Sequence, residues 1–173
     1  MGLSLIAEGI TNFNFVVECV GNLMEEEDGI IEDYWVRVSF SIQNSFLFWK
    51  MDGRESFSFC ELIWLRKALN NLLSDKYSEQ QKLEFIEPDY RFHLYPKTDL
   101  RTIFKGWFKD PIRDIYMDFI INITYGRSGE PNERHIIPFY RNDIYAWRDY
   151  LDEVIEKFDY RGKQCEEYPY PED

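Results

Sequence analysis

The alternation of side chains from Ile115 to Tyr125 constrains the fold of this chain more than any other stretch. Every odd-numbered position in it is apolar or aromatic, whereas Asp118, Asn122 and Thr124 lie on the other parity. A period of two with one partly polar face is typical of a half-buried strand in an antiparallel sheet. Shorter runs of the same kind predict strands at residues 13–20, 36–42 and 90–95, and further strands are predicted at residues 102–108 and 135–140.

Turn signals separate some of these strands. Asp52-Gly53 divides the apolar run Phe46–Trp49 from the run Ser56–Phe59, and an Asp-Gly pair between two such runs predicts a hairpin. Pro138 has no N–H to donate, so the last predicted strand is expected at an edge or an end of the sheet.

Two amphipathic helices follow groups of strands. The first is predicted from about Glu61 to Leu73, with leucines on one face. The second begins at the N-cap Asn142, has Asp143 in its first turn and runs to Phe158. The order strands, helix, strands, helix predicts an α+β fold, mostly antiparallel sheet with about 8–9 strands and two helices packed on it.

The two predicted helices share a pattern. Residues 61–69 and 143–151 both read acid, apolar, two positions, apolar, Arg, two positions, Leu. A duplicated strand-then-helix unit explains this similarity, and so does the spacing that any two amphipathic helices have in common. The sequence leaves both explanations open.

The length and the segment pattern favour one domain. A chain of 173 residues is expected to form a single domain, residues 1–173, with a loosely held acidic, Pro-rich tail at residues 159–173. No stretch approaches the ~20 apolar residues of a membrane span, and the start does not resemble a secretory signal. A cytoplasmic location is therefore expected. Cys19, Cys60 and Cys165 lie far apart and are interpreted as thiols, not as a disulfide framework.

The charge of the chain limits its partners. There are 32 Asp and Glu against 20 Lys and Arg, a formal net charge of −12, yet 45% of the residues are hydrophobic. This apolar content is enough for a core, so the acids are not those of a disordered tail. The negative excess favours a basic protein partner, and it disfavours nucleic acid and anionic membranes.

The acids form clusters along the chain. The densest cluster precedes the strand at residues 36–42, and it is interpreted either as a solvated loop or as a docking patch for a basic protein. The spacing of a calcium-binding loop is not present in it. A second group surrounds the long alternating strand, and Trp35 lies on the polar parity of its own strand, where an aromatic side chain can anchor an interface. The candidate binding residues are Glu25, Glu26, Glu27, Asp28, Glu32, Asp33, Trp35, Asp110, Asp114 and Asp118.

Motifs for catalysis or metal binding do not occur in the sequence. It contains no P-loop, GxGxxG, HExxH or GxSxG. His93 and His135 stand alone in their segments, and the cysteines do not have zinc spacing. No catalytic residue, cofactor or metal is therefore predicted. The many acids nevertheless provide possible carboxylate pairs, so an enzyme that uses carboxylates in a pocket stays an alternative.

The order of segments from Tyr34 to Phe158 resembles the immunity proteins of bacterial polymorphic toxin systems, especially the WapI-type family. The final helix and the long alternating strand are part of this resemblance. The other segments are the aromatic strands Tyr34–Met51, the entry Ser56–Phe59 into the first helix and the segment Glu84–Phe92 with its Glu-Pro pair.

The resemblance implies a non-enzymatic protein of contact-dependent inhibition that binds and blocks a cognate toxin C-terminal domain, often a nuclease. A nuclease is basic because it holds phosphates, and an acidic inhibitor complements that potential. The candidate residues above would then be toxin-binding. Two alternatives stay open: a small-molecule enzyme that uses carboxylates, and an acidic nucleic-acid mimic.

Overall fold

Eight strands and two helices form along residues 2–7, 11–24, 33–85, 90–99, 113–123 and 133–158, which are the residues that the computed structural model describes. The elements are β1 (Leu3–Ala7), β2 (Thr11–Met24), β3 (Asp33–Gln43), β4 (Phe48–Ser58), α1 (Phe59–Leu73), β5 (Gln81–Glu84), β6 (Tyr90–Asp99), β7 (Arg113–Ile123), β8 (Glu133–Tyr140) and α2 (Arg141–Lys157).

The strands form two four-stranded sheets with the orders β1-β2-β3-β4 and β5-β6-β7-β8, and every neighbouring pair is antiparallel. The α+β prediction is confirmed. Each sheet follows chain order and leads directly into a helix, which is the plan that a duplicated strand-then-helix unit would have.

The chain divides into two compact units. The first comprises Met1–Lys67 and Trp147–Asp173, and the second comprises Ala68–Ala146. The first unit therefore contains one sheet, the start of α1 and the end of α2. The second contains the other sheet, the end of α1 and the start of α2. Both boundaries fall inside helices.

The core of the first unit is aromatic. Phe13 and Phe15 on β2 are buried, and their ring centroids lie 5.7 and 4.9 Å from that of Trp147 on α2. Val38 and Phe40 on β3 point to the same buried face. Each side chain of this size contributes about 1.5–3 kcal/mol when it leaves water, so this face holds α2 on the sheet.

The core of the second unit centres on β6 and β7. Phe92 and Phe119 are paired across these strands, and their rings stack with centroids 4.6 Å apart. Leu94, Met117 and Leu69, the last from the part of α1 in this unit, are fully buried. Every residue of β7 from Ile115 to Asn122 is buried. Both faces of this part of the strand are therefore shielded from solvent, and the alternation does not mark an exposed face.

The third residue of both helices is an acid that accepts a hydrogen bond from the backbone N–H three residues before it. Glu61 accepts a hydrogen bond from the N–H of Ser58 at 2.7 Å, and Asp143 accepts one from the N–H of Tyr140 at 3.0 Å. The prediction of Asn142 as the N-cap of the second helix is wrong. Tyr140 takes that position, because Asp143 reaches back to its N–H and α2 starts at Arg141.

The hairpin predicted at Asp52-Gly53 is also wrong. β4 runs through both residues, and the chain reverses at residues 44–47, where the N–H of Asn44 donates to the carbonyl of Leu47 at 2.9 Å. Gly53 has a φ of +53° and lies near a register shift of the β3–β4 ladder. Its N–H donates to Ser39 Oγ at 2.7 Å. This glycine therefore provides the positive φ that an irregularity within β4 requires.

Some further predictions from the sequence miss features of the structure, and others fall on residues that it does not describe. The strands β1 and β5 were not predicted, since each is short. The predicted strand at 102–108 and the tail at 159–173 lie outside the described residues.

Cys19 is an exposed free thiol, whereas Cys60 is disulfide-bonded, which corrects its interpretation as a thiol. No helix in the described ranges is long and apolar enough to cross a membrane.

Candidate functional site

Most of the acids proposed from the sequence as binding residues lie outside the described part of the chain. This applies to Glu25, Glu26, Glu27, Asp28, Glu32 and Asp110. The backbone of Asp33 begins β3, but its side chain is not described. Trp35, Asp114 and Asp118 remain, the first in one unit and the two acids in the other.

Trp35 is half-buried on the parity of β3 opposite to buried Val36. Its register partner across the ladder is Ser58, which is buried and is the last residue of β4. The indole therefore lies on the polar parity, as the alternation predicts, but it is only partly accessible.

Asp114 is neutralised by a neighbouring arginine. Both Nε and Nη2 of Arg141 lie 2.7 Å from Asp114 Oδ1, and the same oxygen accepts the N–H of Ile115 at 2.8 Å. The hydrogen bond to Asp114 raises the pKa of Arg141. Because charged hydrogen bonds of this kind are strong, Asp114 has its charge satisfied within its own unit.

Asp118 is buried on the central strand β7 and is held by two phenols. The hydroxyl of Tyr116 donates to Asp118 Oδ1, and Tyr95 also hydrogen-bonds to the carboxyl group. Burial raises the pKa of Asp118, and the bonds to the two tyrosines oppose that rise. The cause is the cost of placing a charge in a poorly solvated site.

His93 is the residue opposite Asp118 in the β6–β7 register. Burial lowers its pKa, and the positive charge of Lys82 on β5 lowers it further, while the carboxylate of Asp118 opposes both effects. Tyr95 Oη lies 3.5 Å from Nδ1 of the imidazole. A carboxyl, an imidazole and two phenols therefore share one face of the second sheet, a group that can hold or pass a proton.

A row of tyrosines crosses the same face. Tyr95, Tyr116 and Tyr140 are register partners on β6, β7 and β8. The ring centroids of Tyr95 and Tyr116 lie 5.3 Å apart, and those of Tyr116 and Tyr140 lie 5.6 Å apart. Burial and the bond to Asp118 raise the pKa of Tyr116, so this phenol stays protonated and donates. Among the described residues no group of three His, Cys, Asp or Glu could hold a metal ion.

The negative excess is concentrated outside the described residues. Their backbone includes 17 of the 32 acids and 14 of the 20 bases, a net charge of −3. The remaining residues hold 15 acids and 6 bases, a net charge of −9. The charge that favours a basic partner therefore belongs mainly to segments such as residues 25–32 and 159–173.

The outward side of α2 is less acidic than its sequence indicates. Asp152 lies 3.7 Å from Nη1 of Arg66 and 3.6 Å from Nε of Arg148, and Asp149 lies 2.5 Å from Arg148 Nε. Such exposed pairs contribute about 0–1 kcal/mol to stability. They do, however, offset two of the acids that the helix presents.

The comparison with known families decides the classification. The sequence profile of the immunity protein WapI-like family matches residues 6–159, which span the chain from β1 to the end of α2. The chain belongs to this family. The resemblance described above is thus confirmed for the WapI-like family, and the match includes both sheets and both helices. No curated protein sequence matches this family member.

Solved structures show only distant similarity to this WapI-like chain. The plant transcriptional regulator PBF-2 has 9% identity and a TM-score of 0.41, and the match covers 100% of this chain and 90% of that one. WHY3 from Arabidopsis thaliana has 11% identity and a TM-score of 0.41, over 90% and 86%. WHY1 from the same plant has 12% identity and a TM-score of 0.41, over 100% and 97%. These scores are too low to transfer fold or function.

Proposed function

We propose that this WapI-like family member is a non-enzymatic immunity protein that binds and neutralises a cognate toxin domain in the bacterial cytoplasm. The observation that carries the proposal is the family match over residues 6–159. Family membership supports an immunity role. The identity of the target, its chemistry and the binding surface are the parts that need experiment.

The proposed target is a basic nuclease domain. A nuclease presents positive charge because it must hold phosphates, and this chain has a net charge of −12. Complementary potentials can raise association rates to about 10⁸–10⁹ M⁻¹s⁻¹ at low salt. Rapid capture suits an inhibitor that has to act before the toxin reaches nucleic acid.

The proposed toxin-binding residues differ in how free their charges are. Asp114 is paired with Arg141, and Asp118 is buried and hydrogen-bonded to two tyrosines. Their charges are already compensated or poorly accessible, so they contribute less to capture. We therefore propose that Glu25, Glu26, Glu27, Asp28, Glu32, Asp33 and Asp110 supply most of the charge that attracts the toxin, with Trp35 close to Asp33 in the sequence.

The direct test is growth rescue together with pull-down, using the toxin domain encoded next to this chain. We expect co-expression to restore growth and the tagged chain to retain the toxin. An adjacent toxin that still kills in the presence of the chain, and that the chain does not retain, would contradict the proposal.

A matched pair of charge variants tests the acidic surface. Glu26→Lys with Glu27→Lys changes the net charge by the same amount as Glu153→Lys with Glu156→Lys on exposed positions of α2. If the acidic cluster steers the toxin, the first pair slows association at low salt more than the second. Equal slowing would indicate that only net charge matters.

A second candidate function rests on Asp118. A buried carboxyl of raised pKa next to His93 is the kind of group that general acid–base catalysis uses. A catalytic role predicts that Asp118→Asn abolishes protection while toxin binding persists. The non-enzymatic proposal predicts that this variant protects as long as it folds.

A further inference from the structure

Three exposed apolar side chains lie at one end of the first sheet. Ile6 is 62% exposed, Phe46 98% and Phe48 68%. Five large hydrophobic side chains are exposed among the described residues, and these three, here called the hairpin patch, all belong to the first unit. Phe46 and Phe48 are two residues apart at this end, and adjoining exposed apolar side chains mark interaction sites more often than single scattered ones do.

The register places the hairpin patch on one row of the sheet. Ile6 pairs with Asn12, Asn12 with Gln43, and Gln43 with Phe48. Four neighbouring strands therefore contribute one row whose ends are apolar and whose middle is two uncharged amides. Three strand spacings of about 4.8 Å separate its ends by about 14 Å, and Phe46 lies in the turn beside one end.

The turn holds Phe46 in place although its side chain contacts little. Asn44 Oδ1 accepts the N–H groups of Phe46 and Leu47, each at 2.9 Å, and the N–H of Asn44 donates to the carbonyl of Leu47 at 2.9 Å. An Asx turn of this kind fixes the backbone. The exposed ring is thus presented on an ordered support, which lowers the entropy cost of binding through it.

The polar groups next to the hairpin patch satisfy one another. Ser4 Oγ donates to Asn14 Oδ1 at 2.5 Å, and Asn14 Nδ2 donates to Ser41 Oγ at 3.2 Å. Lys50, which pairs with Ser41 in the register, forms an ion pair with Asp52 at 2.7 Å. These groups already have partners, whereas the amides of Asn12 and Gln43 in the middle of the row are exposed. A partner that covers the whole row would therefore have to supply hydrogen bonds to those two amides.

We propose that the hairpin patch is the docking core for a basic protein partner, which inserts the rings of Phe46 and Phe48 into an apolar cleft. This inference rests on the proposed function and takes the toxin domain as that partner. A second copy of this chain is disfavoured as the occupant, because two bodies of charge −12 repel each other. An anionic lipid surface is disfavoured for the same reason.

The proposal divides the work of binding between two regions. The acids outside the described residues attract the partner from a distance, and the uncharged hairpin patch forms the contact that keeps it bound. Long-range charge acts mainly on the association rate, while a well-packed apolar centre acts mainly on dissociation. The two contributions are therefore separable by kinetics.

The test measures binding kinetics with the purified toxin domain encoded next to this chain, made inactive by substitution. The variant is Phe46→Ser with Phe48→Ser, and the matched control is Ile136→Ser, an exposed apolar residue of the other unit at 54% exposure. We expect the double variant to dissociate at least about tenfold faster with little change in association rate. The control should stay within about twofold of wild type, as near-neutral interface positions do.

Two checks complete the design. Thermal melts confirm that the double variant folds. Asn44→Ala keeps both rings but removes the side chain that supports the turn, and it should dissociate at a rate between those of wild type and the double variant. Unchanged dissociation of the double variant overturns the docking proposal while wild-type binding upholds the proposed function. No binding by the wild type overturns both. Wild-type self-association that the double variant loses assigns the patch to a dimer and overturns the proposal.

Discussion

The hydroxyl of Tyr150 on α2 accepts a hydrogen bond from the backbone N–H of Val17 on β2 at 2.7 Å. Val17 lies beyond the last β1–β2 pair, Leu3 with Phe15, and next to a register shift of the β2–β3 ladder. The helix side chain thus supplies a buried partner at a place where the ladder is irregular. Burial raises the pKa of Tyr150, which keeps the phenol protonated.

Replacing this hydroxyl is expected to destabilise the fold. Tyr150→Phe keeps the ring against Phe15 but leaves the buried N–H of Val17 without its acceptor, at a cost of about 1–3 kcal/mol. The measurement is the free energy of unfolding in denaturant. Tyr145→Phe, on the exposed side of the same helix, is the control. It removes a hydroxyl that hydrogen-bonds to Arg141 where water can replace it, and should change the free energy of unfolding by less than about 0.5 kcal/mol. Equal effects would contradict the assigned role.

The reciprocal bonds between Ser58 and Glu61 give a second prediction. The N–H of Glu61 donates to Ser58 Oγ at 3.2 Å, completing the capping box of α1. Ser58→Ala is therefore expected to cost about 1 kcal/mol of stability. Ser45→Ala, at an exposed turn position, should cost little. Similar unfolding midpoints for both variants would indicate that the box does not stabilise the helix.

The buried carboxyl of Asp118 predicts a pH-dependent difference between wild type and Asp118→Asn. Its pKa is raised in the folded protein, so the folded state binds the proton more tightly than the unfolded state. Its ionisation therefore costs stability at neutral pH, and that cost disappears as the pH falls through the raised pKa towards the ordinary value of 3.8. The asparagine cannot ionise and still offers Tyr116 an acceptor.

We therefore expect the free energy of unfolding of Asp118→Asn, relative to wild type, to be most favourable at neutral pH and to decline as the pH falls. Parallel denaturant titrations over that range measure it. A difference that does not vary with pH would mean that the carboxyl titrates normally in the folded state.

The position of the unit boundaries inside α1 and α2 leads us to propose that residues 1–173 unfold as one cooperative domain. In a Trp107→Phe background, the other tryptophans all lie in the first unit. Phe119→Leu removes a buried ring from the second unit and should lower the unfolding midpoint that these tryptophans report. A second transition, or an unmoved tryptophan midpoint, would indicate two independent domains.

Local patterns in the sequence predict the strands and helices, because side-chain period depends only on the element itself. The alternation around Phe119 and Val38 gives the correct strands, and the leucines of α1 give the correct helix. The turn was misplaced because Asp52-Gly53 has the composition of a hairpin, while tertiary context keeps it within β4. Asn44, which does organise the reversal, acts through a side-chain bond that composition does not reveal.

The candidate site was less predictable, because it depends on register. The alternation places Tyr116 and Asp118 on the same face of β7, and His93 and Tyr95 on the same face of β6. No local pattern, however, pairs His93 with Asp118. The row from Ile6 to Phe48 likewise requires three strand registers at once. The net charge of −12 favours a basic partner, yet the described residues carry only −3 of this charge.

The most direct measurement titrates the active toxin domain encoded next to this chain with the purified chain, following heat of binding and residual toxin activity together. The account predicts a one-to-one complex and activity that falls linearly to zero at one equivalent. A toxin that stays fully active at an excess of the chain, or complete loss of activity at a small fraction of an equivalent, would contradict a binding, non-enzymatic immunity protein.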